Sequence, residues 1–387
     1  MSGVVVDEDG EPIVEAVVRV KTDLVLTDED GRFAMPYAEG TRRITVSASG
    51  YADRDIRPAK RLKVTLERFE VKGVYLNGTA AGYDDVVDAM IDLIDETELN
   101  AIVVDIKDGL VYYDSDVAFF QDAGMVRPTY DAEELVDRLH EHDIYVIARQ
   151  VVFKDPLVAE AHPDMAIRDE ETGKLWRGWA GEAWVNPLAT GLYQPNVDLA
   201  VEAAELGFDE IQYDYIRFPD GDLSGADFGE RYDDAENRVG ALTTILGMTR
   251  EALRPVGAKL SADVFGWMLL VDDDQGIGQR LPDIAAVVDY ISPMVYPSHF
   301  PDGSIAVDGP PNDFPYETVE ISLSLGMKKI PGAELKVRPW LQDFTLTDDA
   351  YGVTEIHDQI RAAEEVGASG YLMWNIDANY VHEAYDG

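Results

Sequence analysis

The chain has 387 residues, no cysteine and a formal net charge of −43, with 75 acidic against 32 basic residues and only 11 lysines. The missing cysteines exclude disulfides, thiolate nucleophiles and Cys-ligated metals. A field this negative repels nucleic acid and anionic lipid head groups. The acids are spread along the chain rather than gathered in a tail, and such a lysine-poor surface suits solubility in brine, where self-repulsion is screened; the composition points to a halophilic source with an acidic proteome.

No apolar run approaches the roughly 18 residues that span a bilayer, and the opening Met-Ser-Gly-Val-Val-Val-Asp lacks the basic and apolar regions of a signal peptide. A soluble protein without membrane insertion is expected. It is cytoplasmic as it stands, or extracellular or on the cell surface if a leader was removed; the sequence leaves both open, and the oligomeric state with them.

Residues 4–67 are short β-runs split by turn signals at Asp9-Gly10, Asp30-Gly31 and Ser49-Gly50. Strands this short with no helix between them predict a small antiparallel β-sandwich. The stretches Val-Val-Asp-Glu-Asp-Gly-Glu-Pro-Ile, Thr27 to Phe33 and Ser47 to Tyr51 resemble the carboxypeptidase regulatory-like (transthyretin-like) domain. That resemblance implies a non-catalytic accessory, with attachment to glycan or protein as the alternative. The expected module covers residues 1–68, and the segment from Glu67 to Glu70 reads as a linker.

From Val71 the pattern changes to strands alternating with amphipathic helices, the signature of βα units and a parallel sheet. Strands are predicted at Val71–Leu76, Asn100–Ile106, Ile144–Arg149, Asp209–Tyr215, Lys259–Phe265, Tyr290–Tyr296, Leu335–Gln342 and Ser369–Trp374. Eight of them favour a closed (β/α)8 TIM barrel over residues 69–387. An open dinucleotide-binding sheet would need a Gly-x-Gly-x-x-Gly after its first strand, and there is none.

The stretch from Gly207 to Asp220 carries the strongest sign of chemistry. In Glu210-Ile211-Gln212-Tyr213-Asp214 the alternate residues are polar, and a carboxylate near the C-terminal end of a buried parallel strand carries a desolvation cost that something must offset. Arg217, three residues on, is the expected partner of Asp214. Period two applied to every strand sends one set of residues inward. That set is Asn77, Asp105 with Lys107, Arg149, Gln212 with Asp214, Ser261 with Asp263, Ser292 with Tyr296, Arg338 with Trp340 and Gln342, and Asn375. Barrel enzymes keep their chemistry at the C-terminal rim, and paired carboxylates on neighbouring strands, Asp214 and Asp263, fit glycoside hydrolysis.

All six tryptophans fall in the long loop after the third strand or at the ends of strands five, seven and eight. There they could serve as flat platforms for sugar rings or simply as core filling. Competing barrel chemistries fit less well. The first strand has no His-x-His for a metal-dependent hydrolase, the loops after strands seven and eight lack phosphate-binding glycines, and Lys107 is more simply an ion-pair partner of Asp105 than a Schiff-base lysine. The acidic run Asp272-Asp273-Asp274 does not match the ligand spacing of an EF-hand. No metal or cofactor is expected.

Six stretches, at 99–108, 144–156, 207–219, 261–266, 290–299 and 338–344, resemble a TIM-barrel family classed with the glycoside hydrolases, whose activity is little characterised. The resemblance covers about residues 71–380 and implies a carbohydrate-active enzyme. An aspartate ending strand four also looks like the alpha-amylase arrangement, whose strand-five partner is typically glutamate; here that position is Asp263. The expected function is hydrolysis of a polysaccharide or oligosaccharide, with a catalytically inactive glycan-binding barrel at a cell surface or envelope as the alternative. Asp214 and Asp263 are the catalytic candidates, followed by Asp105. The candidates for binding carbohydrate are Lys107, Arg149, Trp179, Trp184, Gln212, Arg217, Tyr296, His299, Trp340, Gln342, Trp374 and Asn375.

Overall fold

The structure is a computed structural model that describes residues 1–36, 40–178, 180–346 and 351–386. Its N-terminal part forms two small sheets. One holds β1 (Ser2–Val6) between β4 (Arg32–Ala34) and β7 (Arg61–Thr65); the other runs in the order β3 (Asp23–Leu26), β2 (Val17–Val20), β5 (Ile44–Ser47) and β6 (Arg54–Ile56). All pairings are antiparallel except β1 with β7, which is parallel. Alternate residues such as Val5, Val18, Ile44, Val46 and Val64 meet in a common core.

Eight parallel strands among the described residues close into a barrel: Val71–Leu76, Ala101–Asp108, Tyr145–Val151, Glu210–Asp214, Lys259–Phe265, Tyr290–Met294, Trp340–Gln342 and Gly370–Trp374. Closure comes from the first strand, which pairs with both the eighth (Gly73 opposite Leu372) and the second (Gly73 opposite Ala101). The outward Val, Ile and Leu of each strand pack under the helices in one continuous core, while a smaller cluster including Val71, Val103, Ile147 and Leu372 fills the interior. Among the described residues no helix is long and apolar enough to cross a membrane.

Two departures from the sequence reading move side chains that it placed at the inner rim. The seventh strand begins only at Trp340, because Ala333–Lys336 form a helical turn and Pro339 has no N–H to give to a ladder. Arg338 therefore lies deep in the barrel instead of at its rim. On the second strand the ladder pairs Arg149 with Asp105 and then Gln150 with Lys107, so Ile106 is an inserted residue. That bulge turns Lys107 out of the interior.

The module is docked on the barrel rather than tethered to it. Gly50 donates its N–H to Tyr290 Oη (3.0 Å), Arg19 donates to the Val256 carbonyl (3.0 Å), and Leu335 packs against the module's core. The segment expected to be a linker is itself packed: Phe69 bonds the Gly50 carbonyl and its ring lies 5.7 Å from that of Tyr145. Tyr145, Lys259 and Tyr290 all begin strands, so the module covers the N-terminal end of the barrel, opposite the rim.

Candidate active site

At the C-terminal end the barrel opens into a cavity of about 500 Å³. Its floor is built from strand ends. Asp214 closes the fourth strand, and the register that sets Gln212 beside Ser261 and Tyr213 beside Ala262 brings Asp214 level with Asp263 on the fifth. Arg149, from the third strand, lies beneath both. Its Nε (3.0 Å) and Nη2 (2.5 Å) donate to Asp214 Oδ2, and its Nη1 (2.6 Å) donates to Asp105 Oδ1. Asp105 also accepts from Tyr75 Oη at 2.5 Å.

One arginine thus serves Asp105, Asp214 and, at 3.5 Å, Asp108 as well, and Asp263 has no ion-pair partner among the described residues. Among the described residues its carboxyl accepts only the indole N–H of Trp340, on Oδ1 at 2.8 Å. Burial, followed by the nearby charge of Asp214, pushes the Asp263 carboxyl well above the ordinary carboxylate range. Burial likewise raises Asp105, to about 6, against the opposing pull of Arg149.

Backbone geometry sharpens the fourth strand's end. Tyr215 follows Asp214 with a φ of 48°, a conformation that costs a non-glycine residue roughly 1–2 kcal/mol. Asp214 Oδ1 accepts the Tyr215 N–H at 2.5 Å and holds the turn in place. The Tyr215 ring then stands in the cavity wall between two cations, with Lys154 Nζ 4.5 Å and the Arg217 guanidinium 5.2 Å from its centre.

The cavity brings together Asp214, Asp263, Arg149, Trp184, Arg217, Tyr296, His299, Trp340 and Trp374 from the sequence candidates. Tyr296 is buried, its hydroxyl raised by that burial and by the charge of Asp263. Burial lowers His299, which favours its neutral form. Trp374 stacks on Tyr75 with ring centres 4.1 Å apart.

Other candidates fall elsewhere. Asp105 sits behind Arg149 and does not line the cavity. Lys107 is fully buried outside the barrel, paired with Asp155 (2.6 Å) and donating to the Val151 carbonyl (2.7 Å); it is not the partner of Asp105. Gln212 lies a layer below, bonded to Ser292 Oγ at 3.3 Å. Gln342 accepts from Ser298, and Asn375 ties its own loop through Asn379 and Asp377. Trp179 lies outside the described residues.

Two expected roles change. Arg217 bonds Asp220 (2.8 Å) and the Phe218 carbonyl (2.9 Å), so Arg149 is the cation that holds Asp214. Trp184 is buried with the Arg217 guanidinium 4.9 Å from its ring centre, so that face is not an open platform for sugar. Trp176 is buried away from the cavity, with its indole N–H on the Ser224 carbonyl. The sequence reading passed over Tyr75, Lys154, Glu182, Asp220 and Phe265. Tyr75 shares its strand's inward parity, whereas nothing periodic marks Lys154 or Glu182 in their loop.

A closed (β/α)8 barrel with neighbouring carboxylates and an aromatic wall at its C-terminal mouth is a glycoside-hydrolase-like barrel. The chain belongs to the family described as "Putative glycosyl hydrolase domain", which matches residues 73–380, and residues 1–70 match the carboxypeptidase regulatory-like domain. No curated protein matches the chain. Among solved structures, a protein from Ruminiclostridium thermocellum ATCC 27405 described as hypothetical is 35% identical over 49% of this chain and 97% of its own, with a TM-score of 0.45. The glycoside hydrolase domain of PgaB (BpsB) from Bordetella bronchiseptica superposes with a TM-score of 0.58 at 13% identity, covering 82% of this chain and 99% of that one. The catalytic domain of a β-amylase from Paenibacillus polymyxa reaches 0.50 at 11% identity, with coverages of 82% and 96%. At such identities the two hydrolases share the fold.

Proposed function

We propose that the protein hydrolyses glycosidic bonds in a polysaccharide or oligosaccharide, with Asp263 as proton donor and Asp214 as its partner at the anomeric carbon. The observation that carries this is the contrast between two adjacent carboxyls. Asp214 is held by Arg149 and a backbone N–H, whereas Asp263 is buried beside that anion with one neutral donor. Environments this different assign the proton donor to Asp263 and leave Asp214 to act at the anomeric carbon.

Asp263 gives its proton to the glycosidic oxygen as the bond from C1 to that oxygen breaks, and the leaving sugar departs as an alcohol. In the retaining course, expected from the amylase-like placement, Asp214 bonds to C1. Asp263, now a carboxylate, takes a proton from water, whose oxygen displaces Asp214 and restores both groups.

A panel of polysaccharides assayed for released reducing ends tests this at molar salt. The wild-type protein is expected to cleave at least one of them, and Asp214→Asn and Asp263→Asn to abolish that cleavage with the fold intact. Near-normal turnover in both variants would make the pair structural, and glycan binding with no release of reducing ends would leave a binding protein.

A further inference from the structure

The same cavity carries a second pattern that cleavage of a neutral sugar does not require. Acids outnumber bases 75 to 32 in this chain, yet Lys154 lines the cavity without an ion-pair partner among the described residues. Among the described residues its ammonium meets the Tyr215 ring and, at 3.3 Å, its hydroxyl.

Arg217 lies at the same ring, and its guanidinium is also 4.3 Å from the Phe265 ring centre. Its Nη1 is spent on Asp220 and the Phe218 carbonyl, whereas Nε and Nη2 make no hydrogen bond among the described residues. Those two N–H groups form the side-on edge of the guanidinium, the edge whose parallel donors match both oxygens of a carboxylate.

The acids of the wall do not cancel this feature. Asp214 is taken by Arg149 and Asp220 by Arg217. Glu182 lines the same wall with one oxygen 3.5 Å from the Trp184 indole N–H, and it forms no ion pair with Lys154 or Arg217 among the described residues.

We propose that Lys154 and the free edge of Arg217 bind the carboxylate of a uronic acid residue, so that the substrate is an acidic polysaccharide. This rests on the glycosidase reading of the same cavity. The guanidinium fork sets the carboxylate's plane and the ammonium adds a point charge beside it. Both cations line the cavity against aromatic rings, and such surroundings keep them poorly hydrated. Molar salt shrinks the Debye length to about 3 Å, so long-range repulsion between the acidic surface and an acidic polymer is screened while contact at the cations persists.

The test is calorimetric binding of hexasaccharides to the Asp263→Asn protein in molar sodium chloride. The ligands are those of polygalacturonate, glucuronan, alginate and hyaluronan, each beside its carboxyl-reduced counterpart, with a sulfated neutral hexasaccharide as the other anion. At least one uronate is expected to bind about tenfold or more tightly than its reduced form and than the sulfated sugar. Lys154→Met in that background should bring the ratio close to one, and Lys154→Arg should restore part of it. Circular dichroism establishes that the variants are folded.

Equal or tighter binding of the reduced forms, a preference for sulfate, a preference that survives Lys154→Met, or no binding of any uronate would overturn the proposal. Cleavage of a neutral glycan that depends on Asp214 and Asp263 would keep the glycosidase and remove the acidic substrate. Lys154-dependent uronate binding with no cleavage in the wild type would do the reverse.

Discussion

The two ends of the barrel interior use the same kind of group and treat it differently. At the N-terminal end, Glu210 and Arg338 form a fully buried pair, Tyr145 Oη donates to Glu210 (3.2 Å), and the Arg338 guanidinium lies 4.6 Å from the Tyr290 ring centre. One acid meets one base, and the docked module covers that end. At the C-terminal end three buried acids, Asp105, Asp214 and Asp263, lie at the floor of a cavity around Arg149, which pairs with the first two and not with Asp263. A barrel can bury charge for architecture where the count balances. Where acids exceed bases, the surplus carboxyl must keep its proton, and a proton held beside an open cavity is available to a substrate.

Substitutions at the two ends should separate rate from stability. Asp214→Asn or Asp263→Asn is expected to lower kcat by about three orders of magnitude or more with the fold intact, since each removes an acid, base or nucleophile. Arg338→Met should leave Glu210 buried without its cation, costing about 3–5 kcal/mol of stability, while kcat of the folded fraction stays near wild type. Chemical denaturation beside single-turnover rates reads both quantities. A rate loss in Arg338→Met as large as in the rim variants would erase the distinction.

Asp105 lies between these extremes, since it touches Arg149 and not the cavity. Asp105→Asn keeps the hydrogen bond to Tyr75 but removes the charge that fixes the second edge of Arg149, so Asp214 loses definition. The expected fall in kcat is about ten- to a hundredfold, with KM nearly unchanged. A pH–rate profile checks this as a positioning role: the alkaline limb, set by Asp263, should move as the field around Arg149 changes.

Asp263 also links function to stability. Its folded pKa is raised, so the stability it contributes is fully present below the ordinary carboxylate range and is lost as pH rises through the raised value. Asp263→Asn keeps an oxygen for the Trp340 N–H and removes the titration. Its Tm should therefore exceed that of wild type by about 2–5 °C above that window, with the gap closing as pH falls below about 4. A variant that melts lower than wild type at every pH would show that the carboxyl is a structural anchor.

Much of this arrangement was legible because barrel strands repeat with period two and end at one rim. Parity alone brought Asp105, Arg149, Asp214, Asp263 and Trp340 to the same place. It failed where the period broke: the inserted Ile106 turned Lys107 outward, and the late start of the seventh strand left Arg338 at the opposite end from the one expected. Pairing was harder to read than position. Arg217 is near Asp214 in sequence, but Arg149 reaches it across adjacent strands. Lys154 and Glu182 arrive on a loop whose path no periodicity encodes, and Trp184 could be assigned a free face only while the arginine stacked against it was unknown.

The smallest expected effect on rate comes from removing the module, and it tests whether the balanced end is architecture alone. Every contact described above between module and barrel, from Gly50 on Tyr290 to Arg19 on the Val256 carbonyl, lies at or just before a strand start, at the end of the barrel opposite Asp214. A chain beginning at Phe69 retains the packing of that ring on Tyr145 but uncovers Leu335 and Tyr290 and removes the partner that Asp53 gives Lys259 at 3.6 Å. Its Tm should fall by several degrees, because apolar surface returns to water and the partly buried Lys259 loses a carboxylate partner. Its kcat/KM on a soluble oligosaccharide should stay within about twofold of the full chain, since no group at the rim changes its neighbours. A tenfold loss of kcat/KM in folded protein would mean that the covered end governs the geometry of the open one, and the barrel would then have to be treated as a single coupled unit.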